Sequence, residues 1–143
     1  MPPGKKHVDA ETECAECEQI AFANARRYIQ EEILPQLSSL RSDTTGLDGM
    51  VIPPLWVMDY DTETRWQPMK AASGEKEYIF CHGNLHARSI PMHAETLHVM
   101  KIVDWDNAGF FPEEFQVWTV ERPKYEALFR DLEQCKKLSD MMV

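Results

Sequence analysis

The sequence predicts an α+β domain, mainly helical, with one small β-hairpin. Three observations predict it. Apolar residues recur at steps of three and four near both ends of the chain, which is the helical period. A short apolar run at Tyr78-Ile79-Phe80-Cys81 and a loosely alternating one from Leu97 to Val103 read as strands. The chain has 143 residues, enough for one domain with its own core.

Met1 to Val8 is polar and unpatterned, so a flexible tail is drawn at residues 1–9 and a single domain at residues 10–143. The first helix reads from Asp9 to Leu34, with Cys14, Cys17, Ala21, Ala25 and Tyr28 on one face. Pro35 kinks or ends it, because proline has no N–H and clashes with the preceding turn. Leu37 and Leu40 extend the apolar face by a turn. Arg41 to Gln67 reads as irregular, punctuated by Gly46, Gly49, Pro53 and Pro54, with Trp56 and Trp66 packing it onto the body.

Tyr78–Cys81 is the first strand. Ile90-Pro91-Met92 is a second, confined to an edge by Pro91. His93-Ala94-Glu95-Thr96 is a turn, and Leu97 to Val103 the returning strand, so that a hairpin ends at Asp104. Pro112 followed by Glu113 and Glu114 opens a short helix to about Trp118. Pro123 opens the last helix, with Tyr125, Leu128, Phe129, Leu132 and Cys135 on its apolar face and Lys136 and Lys137 in its last turn.

The net charge of −9 argues against nucleic acid, because a binder must neutralise phosphates with clustered Lys and Arg. It argues in the same sense against anionic membrane surfaces. No run of 18 or more apolar residues predicts a membrane span, and the polar N-terminus has no signal-peptide pattern. A cytoplasmic setting follows as the expectation. In that setting the four cysteines read as thiols. Cys14-x-x-Cys17 has only His7 nearby as a further ligand, with Cys81 and Cys135 isolated, which falls short of the four ligands of a structural zinc.

The chemistry concentrates in His82-Gly83-Asn84-Leu85-His86-Ala87-Arg88-Ser89, followed fifteen residues later by Asp104-Trp105. The spacing is that of a kinase catalytic loop, H-x-D-L-x-x-x-N. Asn84 stands at the position of the catalytic aspartate and Ser89 at that of the metal-binding asparagine. Asp104 stands where a second metal ligand belongs. His82 reads as a packed scaffold residue. His86 reads as either a substrate contact or a solvent-facing side chain, and Asp106 as a solvent-facing acid. Glu113 and Glu114 could meet a cationic substrate or simply complement a helix N-terminus.

Around this loop the chain resembles the aminoglycoside phosphotransferase family, and in particular its fungal branch. The motifs are Cys81-His82-Gly83-Asn84-Leu85, Ala94-Glu95-Thr96-Leu97, Val103-Asp104-Trp105 and Ala108-Gly109-Phe110-Phe111-Pro112-Glu113-Glu114-Phe115. Pro35 to Ser42 is similar to that branch as well, so the resemblance spans roughly residues 30 to 120.

The resemblance implies a protein-kinase-like fold, with this chain as the C-terminal lobe. It implies Mg²⁺ and ATP as cofactors and phosphoryl transfer to a small-molecule acceptor bearing hydroxyl or amine groups. In those roles Asp104 would hold Mg²⁺, Ser89 would be a weak second ligand, and Asn84 would orient the acceptor. A kinase-like enzyme needs two lobes, roughly 250 residues or more, so the N-terminal lobe is expected to be absent. There is also no G-x-G-x-x-G. An amide at position 84 has no useful basicity, and loss of a general base removes roughly 10²–10⁴-fold in rate. The expectation is therefore a truncated, catalytically impaired phosphotransferase. The alternative is a non-catalytic pseudokinase remnant that acts as a binding or regulatory module. An uncovered lobe face would suit a partner protein.

Overall fold

The computed structural model describes residues 15–61 and 66–142. The expected tail, the start of the first helix, His7 and Cys14 lie outside the described residues. The rest is an α+β arrangement in which helices pack around a small antiparallel sheet.

Helix α1 runs over Ala15–Tyr28 and α2 over Leu34–Ser39, joined without a break by one π turn at Ile29–Ile33. Pro35 explains the π turn. It has no N–H to donate one turn back, and the Leu34 N–H reaches the Ile29 carbonyl instead. The Gln36 side chain donates to the Glu32 carbonyl at 2.7 Å. The proline thus rewinds the helix locally and does not end it. Ala25, Ile29 and Leu37 are buried on this long element, whereas Leu40 is 50% exposed, so the apolar face stops at Leu37.

Strand β1 (Arg41–Ser42) pairs antiparallel with β2 (Tyr78–Cys81), which pairs antiparallel with β3 (Gly109–Phe111). Ile79 lies opposite both Arg41 and Phe111, and Cys81 opposite Gly109. This sheet replaces the hairpin that the sequence suggests. Between Ile90 and Val103 only a single bridge forms, Met92 to Val99. Pro91 has no N–H for a ladder, and Leu97 adopts a left-handed φ of 58°, which interrupts extended backbone. The expected turn is present, closed by Leu97 N–H to the His93 carbonyl at 2.8 Å. The loop at His82 therefore follows a central strand.

The connection from β1 to β2 contains a helix that the sequence pattern does not reveal, α3 (Leu55–Tyr60). Six residues behind two prolines are too few for a periodic signal. Trp56 and Trp66 are both buried, as expected. The segment after Pro112 shortens to one 3₁₀ turn, Glu113–Phe115, with Glu113 and Glu114 exposed and Phe115 buried.

The last helix divides into α4 (Arg122–Leu128) and α5 (Leu132–Met141). The Asp131 side chain accepts from Gln134 N–H at 3.0 Å and starts α5 afresh. Leu132 is consequently 58% exposed, off the expected apolar face. Lys136 sits inside α5, paired with Asp140 at 2.7 Å, and not in its last turn.

Two apolar clusters hold these elements. One joins Trp56, Ile79, Phe111, Phe115, Cys135 and Leu138, so that α3, the sheet and α5 share a core. Phe111 and Phe115 stack at 5.1 Å, with Trp66 edge-on to both. The other joins Ala25, Ile29, Leu85, Ile90 and Val120, which seats α1 against the loop that follows β2. Among the described residues no helix is long and apolar enough to cross a membrane.

Candidate functional site

The chain leaves β2 at Cys81 and immediately buries His82, which has no solvent exposure. Its Nε2–H donates to the Val103 carbonyl at 2.7 Å, and its Nδ1 accepts the Asn84 N–H at 3.1 Å. Those partners set the tautomer. The ring lies 4.5 Å from that of Trp105. Burial lowers the His82 pKa, partly offset by the Val103 hydrogen bond and the Asp104 charge. His82 is thus the packed scaffold residue that the sequence suggests.

Gly83 turns the chain in the left-handed region, φ 83°, where a Cβ would collide with the Asn107 carbonyl oxygen. Only glycine fits. The Asn107 side chain in turn donates to the Pro53 carbonyl at 2.8 Å.

Ser89 is fully buried, and its hydroxyl is consumed within the loop. The Oγ donates toward the carbonyls of Asn84 (2.9 Å) and His86 (2.8 Å) and accepts the His86 N–H at 3.0 Å. Its own carbonyl accepts the Val103 N–H at 2.9 Å. Val103 is therefore bonded on one side to Ser89 and on the other to His82. That clamp brings Asp104 beside the loop.

Asp104 is exposed, with a left-handed φ of 60°, at the start of the 3₁₀ turn Trp105–Asn107. Its carboxylate makes no cap within that turn. Its charge reaches both His82 and His86, tending to raise each pKa against the larger effect of burial. Asp106 is exposed, as expected.

Asn84 is half-buried, and its Oδ1 accepts the Tyr125 hydroxyl of α4 at 2.5 Å. Burial raises the Tyr125 pKa, which keeps the phenol as the donor. Tyr125 also stacks on His86 with ring centroids 3.8 Å apart and planes 10° apart. His86 is thus half-buried and forms part of an aromatic wall. Tyr125 is a site residue that the sequence places only on an apolar helix face. Its distance of 41 positions from Asn84 leaves no local signal.

The fit to Mg²⁺ can be judged from the donors. Mg²⁺ takes six oxygens in a tight octahedron, usually from one or two carboxylates and substrate phosphates. Asp104 offers an accessible carboxylate, but the Ser89 hydroxyl is buried and already engaged. No group of three or more His, Cys, Asp or Glu among the described residues could hold a metal ion. The donor set does not fit the two-ligand site that the motif implies. Ser89 serves as a brace of the loop and has no geometry for a ligand. No family model, curated protein or solved structure matches this chain.

Proposed function

We propose that this chain is an aminoglycoside phosphotransferase-like domain of kinase-like ancestry, in which the catalytic loop has become a binding scaffold and ATP-dependent transfer is impaired. The observation that carries the reading is the engagement of Asn84 and Ser89. The Asn84 carboxamide oxygen holds Tyr125, and the Ser89 hydroxyl holds the loop, so neither is directed to an acceptor or a metal. An amide also cannot accept the acceptor's proton. Support for the ancestry comes from the loop spacing and from the Val103 clamp that sets Asp104 next to it. In this reading the domain binds small molecules as a non-catalytic module.

Residual transfer is the second reading, and the exposed carboxylate of Asp104 favours it. Thermal melting with and without millimolar Mg·ATP separates the two. A ligand at 100 times its Kd adds about 2.7 kcal/mol of stability, so bound nucleotide would move the transition clearly. The expected result is no shift, together with ATP consumption that is equal in the native chain and in Asp104→Ala. A shift accompanied by ATP consumption that Asp104→Ala abolishes would overturn the binding-module reading in favour of the enzyme.

A further inference from the structure

His86 and Arg88 of the loop line, together with Arg122, Tyr125, Glu126 and Phe129, a cavity of about 310 Å³. That volume lies at the lower end of small-molecule sites, roughly 300–1,000 Å³. None of Asn84, Ser89 and Asp104 lines it. It therefore adjoins the positions that the kinase-like spacing singles out without including them, since Asn84 holds the Tyr125 ring of its wall.

Its wall is aromatic and held in place. His86 stacks on Tyr125, and Phe129 meets Tyr125 edge-on at 5.4 Å and 85°. The Tyr125 hydroxyl bond to Asn84 fixes the ring. Such a wall recognises a flat ring by stacking and edge contacts, and its rigidity lowers the ordering cost of binding.

The charges at the rim do not cancel. Arg122 pairs with Glu126 at 3.0 Å within α4. Arg88 has no carboxylate partner among the described residues. Its neighbour His86 is driven toward the neutral form, first by burial and then by Arg88 itself. The guanidinium of Arg88 is left as the unmatched group among these. A guanidinium fork fits a carboxylate with two parallel hydrogen bonds.

We infer that this cavity binds a small planar aromatic carboxylate, with its ring against the His86–Tyr125–Phe129 wall and its carboxylate on Arg88. The inference rests on the binding-module reading above and gives it a ligand class, an anion in a protein of net charge −9.

The test is an NMR titration of the full chain with 2-naphthoate, run beside 2-naphthylmethanol and 2-naphthylmethylamine. The expected result is a saturable shift of the His86, Tyr125 and Phe129 ring signals, strongest for the carboxylate. Arg88→Gln, on an exposed side chain, should weaken naphthoate by roughly ten- to a hundredfold, the range for a lost charge-assisted hydrogen bond. It should leave the alcohol unchanged. No shift at these rings, equal affinity for the amine, or an unchanged naphthoate affinity in Arg88→Gln would each overturn the inference. Because the nucleotide test uses Mg·ATP and Asp104, a negative titration leaves its outcome standing. The two failures are therefore distinguishable.

Discussion

Gly83 shows how narrowly single residues are specified in this loop. Its φ of 83° is left-handed, and a Cβ there would run into the Asn107 carbonyl. Strain and clash therefore add. Gly74 provides the contrast, with a φ of 73° and open space where a Cβ would stand. Gly74→Ala should cost only the left-handed penalty, about 1–2 kcal/mol. Gly83→Ala should cost more, at least about 2 kcal/mol, because Asn107 also anchors the Pro53 carbonyl. Urea unfolding of the two variants measures the difference, and equal losses would show that the close approach carries no energy. Ser89 illustrates a different limit. Its position in the motif is readable from spacing, but the inward direction of its hydroxyl is not, since that depends on carbonyls three and five residues back.

Among the elements, local chemistry decides boundaries that periodicity blurs. The apolar steps from Tyr125 to Cys135 are continuous in the sequence, yet the chain makes two helices. Asp131 is the reason, because its carboxylate satisfies an N–H that a new helix start leaves open. Asp131→Ala should lower stability by about 1 kcal/mol, read as a lower Tm, whereas Asp131→Asn should retain most of it. If both variants melt like the native chain, the cap is not what starts α5. Pro35 makes the complementary point. A missing N–H is legible in the sequence, but whether the helix stops or rewinds depends on what its next turn can bury. Leu37 is buried beyond the proline, and the helix continues to reach it.

For the molecule as a unit, the neutral histidines couple the loop to the stability of the fold. Burial lowers the pKa of both His82 and His86 below the ordinary value of 6.5. A histidine depressed in this way binds its proton more readily in the unfolded chain than in the folded one. Between the folded and unfolded values the unfolded state holds more protons, so stability rises with pH and falls as pH drops below about 6.5. Melting between about pH 7.5 and 5.5, the window around that value, should show Tm declining on the acid side. His86→Gln should flatten that decline in part, leaving the contribution of His82. A Tm independent of pH over this window would mean that both rings protonate freely in the native state. The same burial ties function to folding, because His82 holds Val103, and Val103 carries Asp104 to the loop.

Local pattern was enough for the α+β class, the strand at Tyr78–Cys81, the burial of Trp56 and Trp66, and the scaffold role of His82. Each follows from a short period or from a motif whose spacing is short. The packed chain alone establishes that the sheet runs β1-β2-β3, that Tyr125 holds Asn84, and that Ser89 faces inward. These depend on partners far apart in the chain or on the direction of a single hydroxyl. Burial and hydrogen-bond satisfaction select them in three dimensions, and no one-dimensional period encodes either.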